Sequence, residues 1–561
     1  MGSAVAAPFD FGVSGVAARR QPVTYNALLE RLGVENMNIY KMAVLACAAC
    51  LLAQSGAPAA QSKIVTDVTT ILKRPDMRAS QLGVAFYDLD SGRMLYQHDA
   101  NKYFVAASTT KVLTESTSLS LLGPNYRFTT SVYRNGAVDS GGVLHGDIIL
   151  RASGDPNLSN RIQPDGTLAF ENEDHAYGGS PDTKAVPGDP LAVLRDLSKQ
   201  IAAHGIKSVT GSVIVDDSLF PDNTQEGGTG TNVAPIVVND NVVDVTLSPG
   251  SKAGDPVHVS VSPVTAYVNF VNSAVTGAAK SANTINMPTD VADSQGNRRV
   301  TITGSFPIDS RPILYAYPVP SARQFAEVAL TQTLSDAGVH VQQAPSATPA
   351  DPKTLTAAYT TQNQVATHVS PPLSEDIRIT LKVSDNLHAA IMPYLWSALI
   401  AHDTSDPQAA GFKLENAFLR RAGFDPLQFV QNDGEGANAF FRPANMVRFL
   451  AYVRKQSFYP YIYRGLPVLG VDGTLFNIQV HAPGAGKVHA KTGTNGNGDL
   501  LNGNRLFLTG KGLLGFMTTR SGKHVAFCVY LNNYGLTPSA DVETAAGQIA
   551  GEIANDGYLG L

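Results

Sequence analysis

Three short groups of residues carry side chains suited to acyl-transfer chemistry. Ser108 and Lys111 stand three positions apart in Ser108-Thr109-Thr110-Lys111, and no other lysine of the chain has a serine at that spacing. At the start of a helix, positions i and i+3 share a face. Lys111 can therefore reach Ser108 Oγ, and the helix amino terminus favours negative charge developing there. To take the serine proton, Lys111 must spend time neutral, which burial or neighbouring cations bring about by lowering its pKa. The second group, Ser384-Asp385-Asn386, follows a helix-like stretch, Glu375–Val383. The third, Lys491-Thr492-Gly493-Thr494, holds the only Lys-[Ser/Thr]-Gly of the chain and ends the strand-like Lys487–Ala490. A cation, a hydroxyl and a residue without a side chain, on a strand edge, suit the gripping of a carboxylate, and Gly493 lets a substrate backbone lie close. Each group alone is weak; Ser-x-Asn, for one, recurs at Ser281-Ala282-Asn283.

The elements that must position these groups mix helices and strands. Ile64–Leu72 reads as a helix, and the alternation of Gln81–Asp88 and Met94–Gln97 around Asp88-Leu89-Asp90-Ser91-Gly92 reads as a β-hairpin. Ser108–Leu122, stopped by Gly123-Pro124, is expected to be helical. From about 126 to 365 the chain turns to short β segments: Thr129–Tyr133, Gly146–Arg151, Gly211–Asp216, Val257–Val261 and Arg299–Gly304. One amphipathic helix, Ala322–Ala337, interrupts them, and Gln342–Gln364 has the composition of a linker. Helical patterns return in Ile377–Lys382, Leu387–Leu399, Gly411–Ala422 and Ala444–Gln456. Strands Lys487–Ala490, Gly512–Thr518 and His524–Tyr530 precede a last helix, Ala540–Ala554. The expected fold is α+β, with a catalytic domain from 61–125 and 366–561 split by a β-rich insertion, 126–365. Within the insertion, 126–220 with 300–365 reads as one unit and 221–299 as nested.

The ordered set Ser-x-x-Lys, Ser-Asp-Asn and Lys-Thr-Gly is that of class A β-lactamases and penicillin-binding proteins. The chain between Ser108 and Ser384 is far longer than a compact β-lactamase needs. The sequence resembles the D-alanyl-D-alanine carboxypeptidase/endopeptidase family with a large insertion between the first two motifs, the class C low-molecular-mass penicillin-binding proteins. Gly154-Asp155-Pro156-Asn157-Leu158, Gly211–Ser218, Ser370-Pro371-Pro372-Leu373, Asp433-Gly434-Glu435-Gly436 and Leu466–Leu475 extend the resemblance over roughly 80 to 550. Two departures touch the cleft rim: Glu435 replaces the serine of a common Asp-Gly-Ser-Gly, and Asn495-Gly496-Asn497-Gly498-Asp499 is more polar than the usual continuation.

The resemblance implies a β-lactamase/transpeptidase-like antiparallel sheet flanked by helices. It implies Ser108 as nucleophile and Lys111 as its base, with the N–H groups of Ser108 and Thr494 as oxyanion hole. Ser384 would relay a proton, Asn386 would hold the substrate amide, and Lys491 and Thr492 would bind the terminal carboxylate beside Gly493. Lys491 would also help depress the pKa of Lys111. The implied partners are peptidoglycan stem peptides, with β-lactams as acylating inhibitors. No cofactor is implied. A serine β-lactamase is the nearest rival, but the Glu-x-x-Leu-Asn phrase of fast class A hydrolysis is missing. A vestigial wall-binding protein would not need Ser108, Lys111, Ser384 and Lys491 intact.

Composition narrows the rest. Lys+Arg 42 against Asp+Glu 47 gives a net charge of −5, which offers neither nucleic acid nor an anionic membrane a basic face. The longest apolar run, Met42–Ala53, is shorter than the about 20 residues that span a bilayer. Lys41 before it and Ala57-Pro58-Ala59-Ala60 after it describe a secretory leader, starting at Met37 and cleaved near Ala59–Gln61. The mature chain is expected to be periplasmic, with residues 1–36 an extension of the reading frame. Of three cysteines only Cys528 follows the leader, in an apolar strand, and the scattered histidines show no metal-ligand spacing. Asp155, Asp216, Asp217, Asp433 and Asp472 are read as turn and cap residues, and Trp396 as core.

Overall fold

The computed structural model describes residues 59–222, 224–287, 291–403, 405–535 and 541–561. The leader and the stretch before Met37 lie outside them. Helix α1 (Ala59–Leu72) leads into β1 (Gln81–Asp88) and β2 (Arg93–His98), an antiparallel pair with Asp88 opposite Arg93. Asp88 Oδ1 accepts the N–H groups of Asp90 and Ser91, the local bonding that lets an Asp close a tight reversal. Helix α2 covers Lys111–Leu121 rather than starting at Ser108, because Ala107–Thr110 winds as a tighter 3-10 turn, a common way to enter a helix. The Thr109 hydroxyl holds that turn by donating to the Ala106 carbonyl at 2.7 Å.

The middle of the chain runs β3 (Thr129–Val138), β4 (Val143–Arg151), α3 (Ala192–Ala203), β5 (Val213–Asp216), β6 (Val242–Ser248), β7 (His258–Ser262), β8 (Val268–Asn272), β9 (Arg298–Ile302), β10 (Ile313–Pro318), α4 (Ala322–Asp336) and β11 (Gln364–Val369). β11, β3 and β4 pair antiparallel and β5 joins β4 in parallel, while β7, β6 and β10 form an antiparallel sheet. Among the described residues α3 covers this part beside α4, the helix that was expected. Leu194, Leu197 and Ile201 of α3 recur at helical spacing and are buried with Phe325, Leu330 and Leu334 of α4 against Ile148, Leu150 and Val215. The stretch expected as a linker is tied down: Leu355 and Ala358 are buried against Ile149, and the Tyr359 hydroxyl donates to Asp216. Its few apolar residues decide its placement, although its average composition is polar.

The chain then forms α5 (Leu373–Lys382), α6 (Asn386–Trp396), α7 (Pro407–Arg421), α8 (Pro443–Val453), β12 (Val488–Asp499), β13 (Arg505–Thr518), β14 (His524–Asn532) and α9 (Val542–Gly560). Strands from both ends build one five-stranded antiparallel sheet in the order β2-β1-β14-β13-β12. Alternation along β14 explains how it is covered on both sides. Val525, Phe527, Val529 and Leu531 join Ile64, Val68, Ile549 and Ile553 of α1 and α9 in one core. Ala526, Cys528 and Tyr530 face the other core, with Val112, Leu113, Ile391, Trp396 and Phe449 of α2, α6 and α8. Side chains of a strand alternate between faces, so an uninterrupted apolar run such as Val525–Leu531 belongs to a strand buried on both. Trp396 is fully buried, its indole N–H donating to Ser118 Oγ. This is an α+β fold. Among the described residues no helix is long and apolar enough to cross a membrane.

Candidate active site

A cleft of about 890 Å³ opens between the 3-10 turn before α2, strands β12 and β13, helix α9 and the loop around Tyr177, and Ser108, Ser384, Asn386, Thr492, Gly493 and Thr494 all line it. Ser108 is half-buried on the 3-10 turn. Lys111, at the first position of α2, is fully buried. Its Nζ donates to Ser108 Oγ at 2.7 Å, to Asn386 Oδ1 at 2.6 Å and to the Glu435 carbonyl at 3.2 Å. An ammonium has three donors, so all three are aimed. Asn386, expected to hold substrate, thus also holds Lys111.

The second group sits where α5 ends and α6 begins. Ser384 adopts the left-handed backbone region, with φ of 63°, and Asp385 caps α6 by accepting the His388 N–H at 3.1 Å. The left-handed turn presents Ser384 Oγ to Lys491 Nζ, which donates at 2.6 Å. The third group was expected at the end of a strand. It lies inside one, since β12 continues to Asp499 along the edge of the sheet. Alternation buries Lys491 and Gly493 and leaves Thr492 and Thr494 half-exposed towards the cleft. A Cβ on Gly493 would lie 2.7 Å from the Ala106 carbonyl oxygen and 3.1 Å from the Ser108 nitrogen. Only glycine lets the strand close against the turn that carries Ser108. Thr492 Oγ1 meets Thr474 Oγ1 at 2.6 Å.

Burial governs the charges here. It is the largest cause lowering the pKa of Lys111, against the carboxylates of Glu435, Asp385, Asp433 and Glu226. Lys491 lies well below its ordinary value, through burial and then the charges of Lys111 and Lys511. Burial, not the charge of Lys491, is thus what lowers Lys111. Glu435 is not at the rim: it is 5% exposed and accepts the Gly227 N–H at 2.8 Å. Burial pushes its carboxyl up to about 8, with Lys111 opposing. Asp433 does act as a turn residue, accepting the N–H groups of Gly436, Ala437 and Asn438. That turn delivers the Glu435 carbonyl to Lys111. Asp472 does more than shape a turn, because Lys382 Nζ donates to its Oδ1 at 2.7 Å. Asp155 and Asp216 bond the N–H groups of Asn157 and Ser218, as caps do.

A buried network from the middle of the chain backs the second group. The Tyr177 hydroxyl donates to the Ser384 carbonyl at 2.6 Å. Arg161, 1% exposed, pairs with Asp174 at 2.9 Å and Asp240 at 2.6 Å, and lies 3.9 Å from Asp385. His175 bridges Asp240 at 2.7 Å and Asp244 at 3.0 Å. His388 lies 3.2 Å from Asp240 and 2.8 Å from Asp376. Against the effect of burial, Asp244 and Asp240 hold His175 well above the imidazole range, and Asp385 and Asp376 do the same for His388. Asp240, Asp385 and His388 also offer three ligand atoms within 4.8 Å of one another, a grouping that sequence spacing does not reveal. Asp240 Oδ2 already takes Arg161 and His175, so the chain's own cations balance these carboxylates.

Sequence reasoning missed four residues of this cleft. Lys511 Nζ donates to Thr494 Oγ1 at 2.8 Å and to Glu543 Oε1 at 2.9 Å; a lone cation between Gly510 and Gly512, in an apolar strand, was its signal. Thr474 lies in Leu466–Leu475, read only as part of the resemblance and not as a site; Glu543 and Tyr177 had no signal, since loops and helix starts rich in polar residues show no period.

The motifs, in the expected order, converge on one cleft of an α+β fold, and comparison with known proteins decides the family. The sequence profile of the D-Ala-D-Ala carboxypeptidase 3 (S13) family matches residues 64–554. The chain belongs to that family. Family membership makes it a serine-type D-Ala-D-Ala carboxypeptidase. It is 26% identical to a D-alanyl-D-alanine carboxypeptidase of Actinomadura sp. (strain R39) over 81% of this chain and 80% of that one. It is 24% identical to the D-alanyl-D-alanine carboxypeptidase DacB of Haemophilus influenzae over 84% of this chain and 88% of that one. The crystal structure of penicillin binding protein 4 from Haemophilus influenzae superposes with a TM-score of 0.63 at 20% identity, covering 88% of this chain and 99% of that one.

Proposed function

We propose that this carboxypeptidase removes the terminal D-alanine of peptidoglycan stem peptides through an acyl-enzyme on Ser108. The observation that carries this reading is the 2.7 Å contact of buried Lys111 Nζ with Oγ of Ser108, which lines the cleft. Neutral Lys111 takes the proton as Ser108 Oγ attacks the carbonyl carbon of the penultimate D-alanine. The N–H groups of Ser108 and Thr494 hold the oxyanion, each donor being worth about 3–4 kcal/mol in related chemistry. The C–N bond then breaks as the proton held on Lys111 is relayed through the Ser384 hydroxyl, backed by Lys491, to the departing amine, which leaves Lys111 neutral and Ser384 protonated. Water attacks the ester, neutral Lys111 takes its proton, and that proton passes to Ser108 Oγ as the ester C–O bond breaks, which restores the hydroxyl. A β-lactam enters by the same attack, but its amine stays tethered and blocks the water, so the adduct persists. The Haemophilus influenzae structure has also been solved with a β-lactam.

The substrate lies outside the cytoplasm, which agrees with a leader from Met37 cleaved near Ala59–Gln61 and with a periplasmic enzyme. We also propose that 126–365 is an insertion into a catalytic domain of 61–125 and 366–561; the five-stranded sheet drawn from both chain ends supports this. Incubating the mature enzyme with a stem pentapeptide tests the reading. D-Alanine should be released by the wild type and not by Ser108→Ala. Release by both would overturn it, and cleavage only of cross-linked dimers would replace it with an endopeptidase.

A further inference from the structure

The substrate ends in a carboxylate, yet the lysine assigned to it is out of reach. Lys491 is fully buried, with its ammonium spent on Ser384 Oγ and the Thr492 carbonyl. Neither Lys491 nor Lys111 lines the cleft; among the described residues that do, Lys511 is the only cation. Lys511 stands on β13 directly opposite Thr494 of β12. Its stem is buried and its Nζ donates to Thr494 Oγ1. The third partner is Glu543, at the start of α9. One oxygen, Glu543 Oε1, accepts both from Lys511 Nζ at 2.9 Å and from Thr494 Oγ1 at 2.8 Å.

A carboxylate held by one ammonium and one hydroxyl, beside the strand that carries the third motif, is what a D-alanine terminus would present in the same place. The Glu543 side chain is 51% exposed, against 9% for Lys511. The acid is therefore the partner that reaches solvent, where water and counterions compete for it, and the one an incoming carboxylate can displace. We propose that Lys511 with Thr494 binds the terminal carboxylate of the substrate, and that Glu543 occupies this position in the empty enzyme as an internal competitor. This inference rests on the acyl-enzyme reading above. It makes Lys511 the group that separates substrates with a free terminal carboxylate from those without, and Glu543 the group that sets how readily the site opens.

The test compares benzylpenicillin with its methyl ester, which has the same β-lactam amide and no carboxylate. Rates of acylation are read by intact mass. Wild type is expected to react with the acid at least about tenfold faster than with the ester, a difference of about 1.4 kcal/mol. Lys511→Met should lose most of that preference by slowing the acid alone, Lys511→Arg should restore it, and Glu543→Gln should speed the acid a few-fold without changing the ester. Full preference retained in Lys511→Met, or an equal fall for acid and ester, would overturn the assignment. No adduct from either compound on wild type would overturn the acyl-enzyme reading, and this inference with it.

Discussion

Removing a single oxygen, in Tyr177→Phe, tests whether the middle of the chain positions Ser384 for the proton relay we propose. Tyr177 donates to the Ser384 carbonyl at 2.6 Å, and Ser384 is held in the left-handed region with φ of 63°. A non-glycine residue costs about 1 kcal/mol or more in that region and stays there only when its surroundings hold it. The hydrogen bond contributes about 1 kcal/mol net, and more where its loss leaves the carbonyl without a partner. Releasing the loop should therefore weaken transition-state stabilisation by about 1–2 kcal/mol, a factor of about 5–30. The assay is the second-order rate of acylation by benzylpenicillin, with the urea midpoint measured alongside. Tyr359→Phe is the control: its hydroxyl donates to Asp216, away from the cleft. Acylation should slow in Tyr177→Phe and not in Tyr359→Phe. A Tyr177→Phe rate within twofold of wild type, or an equal loss in the control, would refute the positioning role.

Glu435 should mark the pH profile. Its carboxyl, raised by burial to about 8, ionises near that pH and its charge then favours the ammonium form of Lys111. In the proposed mechanism neutral Lys111 is the competent form, so ionised Glu435 would oppose activation. Glu435→Gln should remove an inflection near pH 8 from the acylation profile and move the acid limb to lower pH; an upward or absent shift would contradict this. Arg161→Met should destabilise by on the order of 3–5 kcal/mol, because it leaves buried Asp174 without its cation and takes from buried Asp240 the closest of its three cationic partners. Adding Asp240→Asn should recover part of that loss in urea unfolding, and strictly additive losses would count against the pairing.

Much of the site was legible because its motifs are local. Ser108 and Lys111 share one turn, Ser384 and Asn386 one loop, and Lys491 to Thr494 one strand, so their spacing alone placed them on a common element. The sheet was legible for a related reason: β14 is apolar without a break. What the sequence concealed depends on distant meetings. Tyr177 reaches Ser384 across the chain, and Arg161, Asp240 and His388 come together only in the fold. Helix α3 went unread although Leu194, Leu197 and Ile201 have helical spacing, because short strands and Gly-Pro turns surround it. Lys491 was read as a carboxylate binder from residue type, whereas the alternation of β12 turns it inward and leaves Lys511 of the neighbouring strand at the cleft.

Intact-protein mass after incubation of the mature enzyme with benzylpenicillin, beside a Ser108→Ala variant, tests the central claim most directly. One long-lived adduct of a single penicillin on wild type and none on the variant is the expected result. An adduct on Ser108→Ala, or none on either protein, would contradict the assignment of Ser108 as nucleophile.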